Sequence, residues 1–238
     1  LPGTALVEVT WAQPDGASDR TTSGVVFDPN GIASAARRLA DFRAFWDARL
    51  AELRAVPAEP ELAPAESGAD GVSYWTVSMN HIRGTRVHGQ LARPVQGAKL
   101  PALLIVQWAG VYRLEKTWVT DRAKEGWLVL NVMPHDLPID RPDEFYTELK
   151  TTGPLKHYWS IGNDDRETSY YLRMYLSCIR AADYLVGRED WDGRTLVVMG
   201  GSQGGMQALV TASLHPSVTA ALANVPAGCD LLGPAVGR

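Results

Sequence analysis

One serine, set between spaced glycines, is the residue of this chain best placed to do covalent chemistry. It lies in Gly200-Gly201-Ser202-Gln203-Gly204-Gly205, and Gly200-x-Ser202-x-Gly204 has the spacing of a nucleophile elbow. Such a turn holds its serine in a strained conformation that lifts the hydroxyl clear of the strand before it and the helix after it. Glycine two residues to either side lets those elements approach closely. A helix starting at Gln203 would direct free N–H groups and its positive dipole end at a reacting carbonyl. The backbone N–H of Gln203 is therefore a candidate oxyanion donor. The second donor is expected from the loop Gln107-Trp108-Ala109-Gly110, which ends an apolar strand, with the N–H of Ala109 as the candidate.

Positioning such a turn takes a sheet. Nearly continuous apolar runs at 102–108, 127–133, 195–200 and 218–225 predict strands covered on both faces. Helices are expected between them at 115–125, 168–186 and 203–214. The second of these has Leu172, Tyr175, Leu176, Ile179, Ala182 and Val186 on one stripe and Gly187 where a terminating glycine belongs. Segments 72–80 and 86–92 alternate around Arg83-Gly84-Thr85 and read as a hairpin. This order predicts an α/β-hydrolase fold, a doubly wound, mostly parallel sheet with an antiparallel edge. Upstream, 5–12 and 22–27 read as strands. A helix over 33–54 has Leu39, Phe42, Phe45, Trp46, Leu50 and Leu53 on one face, and Pro57, Pro60 and Pro64 then interrupt it. The expected organisation is 1–28 as the end of an N-terminal β domain, 29–70 as helix and Pro-rich linker, and 71–238 as an incomplete hydrolase core.

A serine nucleophile needs a base, and in this fold the chain order is serine, acid, histidine. After Ser202 the sequence offers only His215 and Asp230. His215 ends the elbow helix, which leads away from the hydroxyl, and reads as a surface residue; Asp230 reads as loop. His81 and His88 lie in the hairpin and also read as surface residues. His135 and His157 follow the strand at 127–133, the only two placed to approach the mouth of the site. No complete triad assembles, so the acid and histidine are expected beyond Arg238.

The bulk properties remove other classes. A net charge of −4 with no basic run gives no footprint for nucleic acid. No apolar stretch approaches the ~20 residues of a membrane span. No spacing of His, Cys and Glu suggests a metal, no Lys-Ser/Thr follows the glycines as a phosphate loop requires, and no cofactor is expected. Cys178 and Cys229 make no disulfide framework, and Cys178 is expected as a buried free thiol. The sequence leaves the compartment open.

Beyond these readings, the chain resembles the acetyl xylan esterase and cephalosporin C deacetylase family (carbohydrate esterase family 7). The resemblance rests on the elbow with Gln203 after the serine and on Tyr170-Tyr171-Leu172-Arg173-Met174-Tyr175 with Arg180-Ala181. Asp41-Phe42, Phe45-Trp46, Leu50 and Glu52-Leu53 complete it. It implies a serine esterase that removes acetyl groups from xylan, xylo-oligosaccharides or small acetylated compounds through an acyl-Ser202 intermediate. Gln203 and Ala109 would be the oxyanion donors, and homo-oligomers are implied. Two departures stand out: Pro134-His135-Asp136 replaces the family's Arg-Gly-Gln, and Gln107-Trp108 replaces its His-Gly. The alternatives are a prolyl-oligopeptidase-like serine peptidase, against which the helix at 33–54 speaks, and a degenerate carbohydrate-binding member, against which the intact elbow speaks.

Overall fold

Apolar runs too short for helices, separated by helical segments, fold here as one sheet with helices on both faces. The computed structural model describes residues 5–12, 18–25 and 29–228, and side chains within 36–228. The chain divides into two compact units, Leu1–Arg49 and Leu50–Arg238. In the first unit, β1 (Ala5–Ala12) and β2 (Ser18–Val25) pair antiparallel. β2 starts before the 22–27 expected because pairing to Thr10, Trp11 and Ala12 holds polar Ser18, Asp19 and Arg20 extended. Helix α1 (Pro29–Ala55) follows.

The second unit holds a seven-stranded sheet. Its strands are β3 (Glu61–Ala65), β4 (Val72–Asn80), β5 (Arg86–Pro94), β6 (Leu100–Val106), β7 (Leu128–Met133), β8 (Trp191–Gly201) and β9 (Ala220–Asn224), in the spatial order 3-4-5-7-6-8-9. Strands β7, β6, β8 and β9 run parallel, whereas β3, β4 and β5 add the antiparallel edge. This is the expected α/β-hydrolase arrangement. β3 was not expected; it lies within the Pro-rich stretch, every residue of it is exposed, and its strand neighbour is β4 at the sheet edge.

Helices α2 (Thr117–Lys124), α3 (Asp143–Thr151), α4 (Tyr170–Val186) and α5 (Gln203–Leu214) complete the unit. One face of the sheet packs Leu91, Leu104, Leu130 and Val198 against Cys178, Ala182 and Leu185 of α4 and Ala208 of α5. The other packs Leu103 and Val129 against Val119 and Ala123 of α2. A third cluster holds Val111, Met133, Tyr146, Tyr158, Tyr170 and Met174. It includes α3, a helix absent from the sequence expectation.

A chain of buried polar side chains crosses this core. The Tyr74 hydroxyl donates to Gln90, Gln90 donates to Asn131, and Asn131 donates to the Ile105 carbonyl, which links β4, β5, β7 and β6. Arg180, 4% exposed, donates to the carbonyls of Leu53 and Val56 at 2.6 and 2.8 Å and so satisfies the end of α1. Exchanging Arg180 for Met keeps the side-chain length but removes both bonds. The Leu53 carbonyl keeps the Val56 N–H at 3.1 Å while the Val56 carbonyl loses its donor, and the unfolding free energy should fall by about 2 kcal/mol. Urea titration reads this directly; an unchanged midpoint would contradict the assigned cap.

Candidate active site

Ser202 sits between the last residue of β8 and the first of α5, with φ 53° and ψ −119°. A non-glycine residue in such a region carries strain of about 1–3 kcal/mol, so neighbouring bonds must hold it. Its N–H donates to the Asn224 carbonyl at 2.9 Å, and its carbonyl accepts from the N–H groups of Met206 and Ala227 at 3.2 and 2.9 Å. The flanking glycines are sterically required. A Cβ on Gly200 would lie 2.5 Å from the Gly204 carbonyl carbon, and one on Gly204 would lie 2.7 Å from the Val106 carbonyl oxygen and 2.8 Å from that of Gln107. The start of α5 thus presses on the end of β6 and on the loop after it.

That contact brings the two candidate donor segments together. Among the described residues, the N–H groups of Gln203 and Ala109 have no hydrogen-bond partner. Gln203 stands at the positive end of the twelve-residue α5. Its side chain, 3% exposed, accepts from the Tyr158 hydroxyl at 2.8 Å, and the same hydroxyl accepts from the Gly110 N–H at 3.0 Å. The Gly110 carbonyl in turn meets His135 Nε2 at 2.9 Å, while His135 Nδ1 meets the Tyr170 hydroxyl at 2.9 Å. A carbonyl only accepts, so Nε2 carries the proton and Nδ1 accepts from Tyr170. Gln207, fully buried in α5, adds a bond from its amide to the Gln107 carbonyl at 3.1 Å. The loop at 107–110 is therefore tied to the start of α5 through the Gly110 N–H and the Gln107 carbonyl, and to the start of α4 through the Gly110 carbonyl.

The sequence candidates divide around this arrangement. Gln203 directly follows Ser202 at the start of α5, and Ala109 lies in the loop after β6. His135 reaches the donor loop, but as a 3% exposed residue bonded through both nitrogens, away from the Ser202 hydroxyl. His157 packs against Trp159. His88 faces Asp136 at 3.5 Å. His215 and His81 are not the surface residues expected: they are 3% and 2% exposed. His215 pairs with Asp183 of α4 at 3.1 Å, and His81 bonds Thr85 at 3.0 Å. Among the described residues, no side chain hydrogen-bonds the Ser202 hydroxyl. Asp230 and Cys229 lie outside the described residues. Cys178 is the buried free thiol expected, its pKa pushed up to about 12 by burial. Among the described residues no cluster of His, Cys, Asp and Glu fits a metal. No helix among them is long and apolar enough to cross a membrane.

The sequence reading passed over Tyr158, Gln207 and the loop role of His135. The departure from Arg-Gly-Gln at 134–136 was the available signal, since a changed residue beside a strand end invites a changed partner. A cavity of about 680 Å³ lies against Gly200, Gly201 and Asn224, with Trp108 on its wall.

Known proteins resemble this chain in sequence and in fold. The model of the family described as acetyl xylan esterase (AXE1) matches residues 33–232. Acetyl esterase Axe7A of Xylanibacter ruminicola is 34% identical over 212 residues, covering 88% of this chain and 48% of the relative. The acetyl xylan esterase of Paenibacillus sp. R4 superposes with a TM-score of 0.67 at 27% identity, covering 79% of this chain and 60% of that one. Acetyl xylan esterase 1 of Thermoanaerobacterium sp. JW/SL YS485 has the same fold, with a TM-score of 0.68 at 22% identity, over 79% of this chain and 58% of that one. The chain thus spans about half the length of the curated relative it matches.

Two outcomes follow from the geometry. Gly204→Ala should lower stability by about 1–3 kcal/mol, because its Cβ meets backbone rather than movable side chain; a wild-type melting point would contradict the close approach. Burial pulls the pKa of His135 from 6.5 down to about 4, opposed by its bond to the Gly110 carbonyl, and burial does the same to His81. Both rings are neutral in the folded state, so their contribution to stability is full above pH 6.5 and is lost as the pH falls from there toward 4. Each group adds a slope of about 1.4 kcal/mol per pH unit inside that window. His135→Gln should remove one of the two contributions, read from denaturation midpoints at pH 4.5 and 7; an unaltered slope would contradict it.

Proposed function

The chain belongs to the acetyl xylan esterase (AXE1) family, and we propose that it carries the nucleophile and oxyanion hole of a serine esterase. Its substrates on this reading are O-acetyl groups on xylan, xylo-oligosaccharides or small acetylated compounds. The observation that supports it best is the positive-φ backbone of Ser202, held at the start of α5 beside an unbonded Gln203 N–H. Nothing in the family favours the peptidase alternative.

The Ser202 Oγ attacks the acetyl carbonyl carbon and a base removes its proton. The N–H groups of Gln203 and Ala109 stabilise the oxyanion of the tetrahedral intermediate, where preorganised donors are worth most. Collapse breaks the bond to the sugar oxygen, which leaves with a proton, and the acetyl group stays on Ser202. Water then attacks the acyl-enzyme and releases acetate. The family resemblance implies an Asp–His pair as the base system, and none of the five histidines of this sequence reaches the Ser202 hydroxyl. Tyr158, Tyr170 and His135 act on this reading by fixing the donor loop. Homo-oligomeric assembly is part of the same reading and can be measured by light scattering.

The test is hydrolysis of 4-nitrophenyl acetate and acetylated xylan by the full-length protein and its Ser202→Ala variant. Loss of the nucleophile should lower kcat by about a thousandfold or more. Equal rates for the two proteins would overturn the assignment.

A further inference from the structure

An aromatic wall stands beside the donor loop. Trp108, the residue before Ala109, stacks on Tyr112 with ring centroids 5.4 Å apart and planes 24° from parallel. Trp118 of α2 packs its edge against both, 5.1 Å from Trp108 and 6.3 Å from Tyr112. The Tyr112 hydroxyl donates to the Trp108 carbonyl at 3.0 Å and closes the turn that presents the stack. Trp108 nonetheless remains 49% exposed. A large ring fixed by its neighbours yet left in water forgoes burial energy, which is the mark of a surface kept open for a ligand.

A cavity of about 400 Å³ opens against this wall, within the range of small-ligand sites. The cavity also touches Arg113, Glu115, Asp143, Thr147 and Lys150. Two cations and two anions balance, and Arg113 is already paired with Glu115 and Asp143 at 3.0 and 3.3 Å. An uncharged ligand therefore suits the site better than an ion. A pyranose ring has the matching chemistry: its C–H faces lie on aromatic rings, and its edge carries hydroxyls for polar groups.

We propose that Trp108 and Tyr112 form a sugar-stacking subsite that binds a neutral pyranose ring of the substrate next to the reacting acetyl group. The proposal deepens the esterase reading and rests on it for the link to catalysis, whereas binding of the sugar does not require Ser202. Trp108 stands where the family pattern has glycine, so the wall belongs to this chain's own departure from that pattern.

Unacetylated xylotriose is the probe, titrated by calorimetry and tryptophan fluorescence, with turnover of acetylated xylotriose measured in parallel. Trp108→Ala should weaken xylotriose binding by about fivefold or more, and Trp108→Phe should restore most of it. On acetylated xylotriose, Trp108→Ala should act chiefly through KM. Absence of xylotriose binding by the wild-type protein, or equal affinity in Trp108→Ala, would overturn the subsite. Xylotriose binding that depends on Trp108 in a protein inert toward every acetyl ester would support the subsite and reject the esterase reading.

Discussion

The start of α5 can approach the ends of β6 and β8 only because Gly200 and Gly204 have no side chain. Any Cβ there would meet backbone at 2.5–2.8 Å. From that contact follow the placement of Ser202 at the tip of a strained turn, the unbonded Gln203 N–H at the positive end of the helix, and the seating of the 107–110 loop beside it. The strain at Ser202 is sustained by three backbone bonds, to Asn224, Met206 and Ala227. A site that needs donors within a few tenths of an ångström of one position benefits from such over-determination.

The second support is a polar chain through aromatic residues. Tyr170 donates to His135, His135 donates to the Gly110 carbonyl, the Gly110 N–H donates to Tyr158, and Tyr158 donates to Gln203. Each hydroxyl and each ring nitrogen in that chain has a defined role, and the bond from Tyr170 to Nδ1 requires a neutral His135. Burial keeps it neutral. His135, on the sequence alone a possible approach to the site, thus serves as a buried strut whose proton belongs to Nε2. Gln107 and Gln203 retain buried amide atoms without partners among the described residues, so hydrogen-bonding capacity remains beside the elbow.

How much of this was legible follows from where each constraint is written. The elbow was legible because a backbone clash is answered locally, by glycine at fixed offsets, and α5 runs over the 203–214 read from the sequence. The parallel strands were legible because burial on both faces demands apolar runs. β3 was not, since an exposed edge strand is held by hydrogen bonds that leave no hydrophobic mark. The burial of His215 was hidden because its partner, Asp183, lies on another helix. The segment around Tyr158 was hidden for the same reason: its tyrosine gains its role from Gln203 and Gly110, which only the fold brings near.

The most direct test of the site is its covalent adduct with an organophosphonate that mimics the tetrahedral intermediate, solved as a crystal structure. Expected is a single bond from Ser202 Oγ to phosphorus, with the phosphonyl oxygen within hydrogen-bond distance of the N–H groups of Gln203 and Ala109. Phosphorus on another residue, or its oxygen turned away from both N–H groups, would contradict the proposed nucleophile and oxyanion hole.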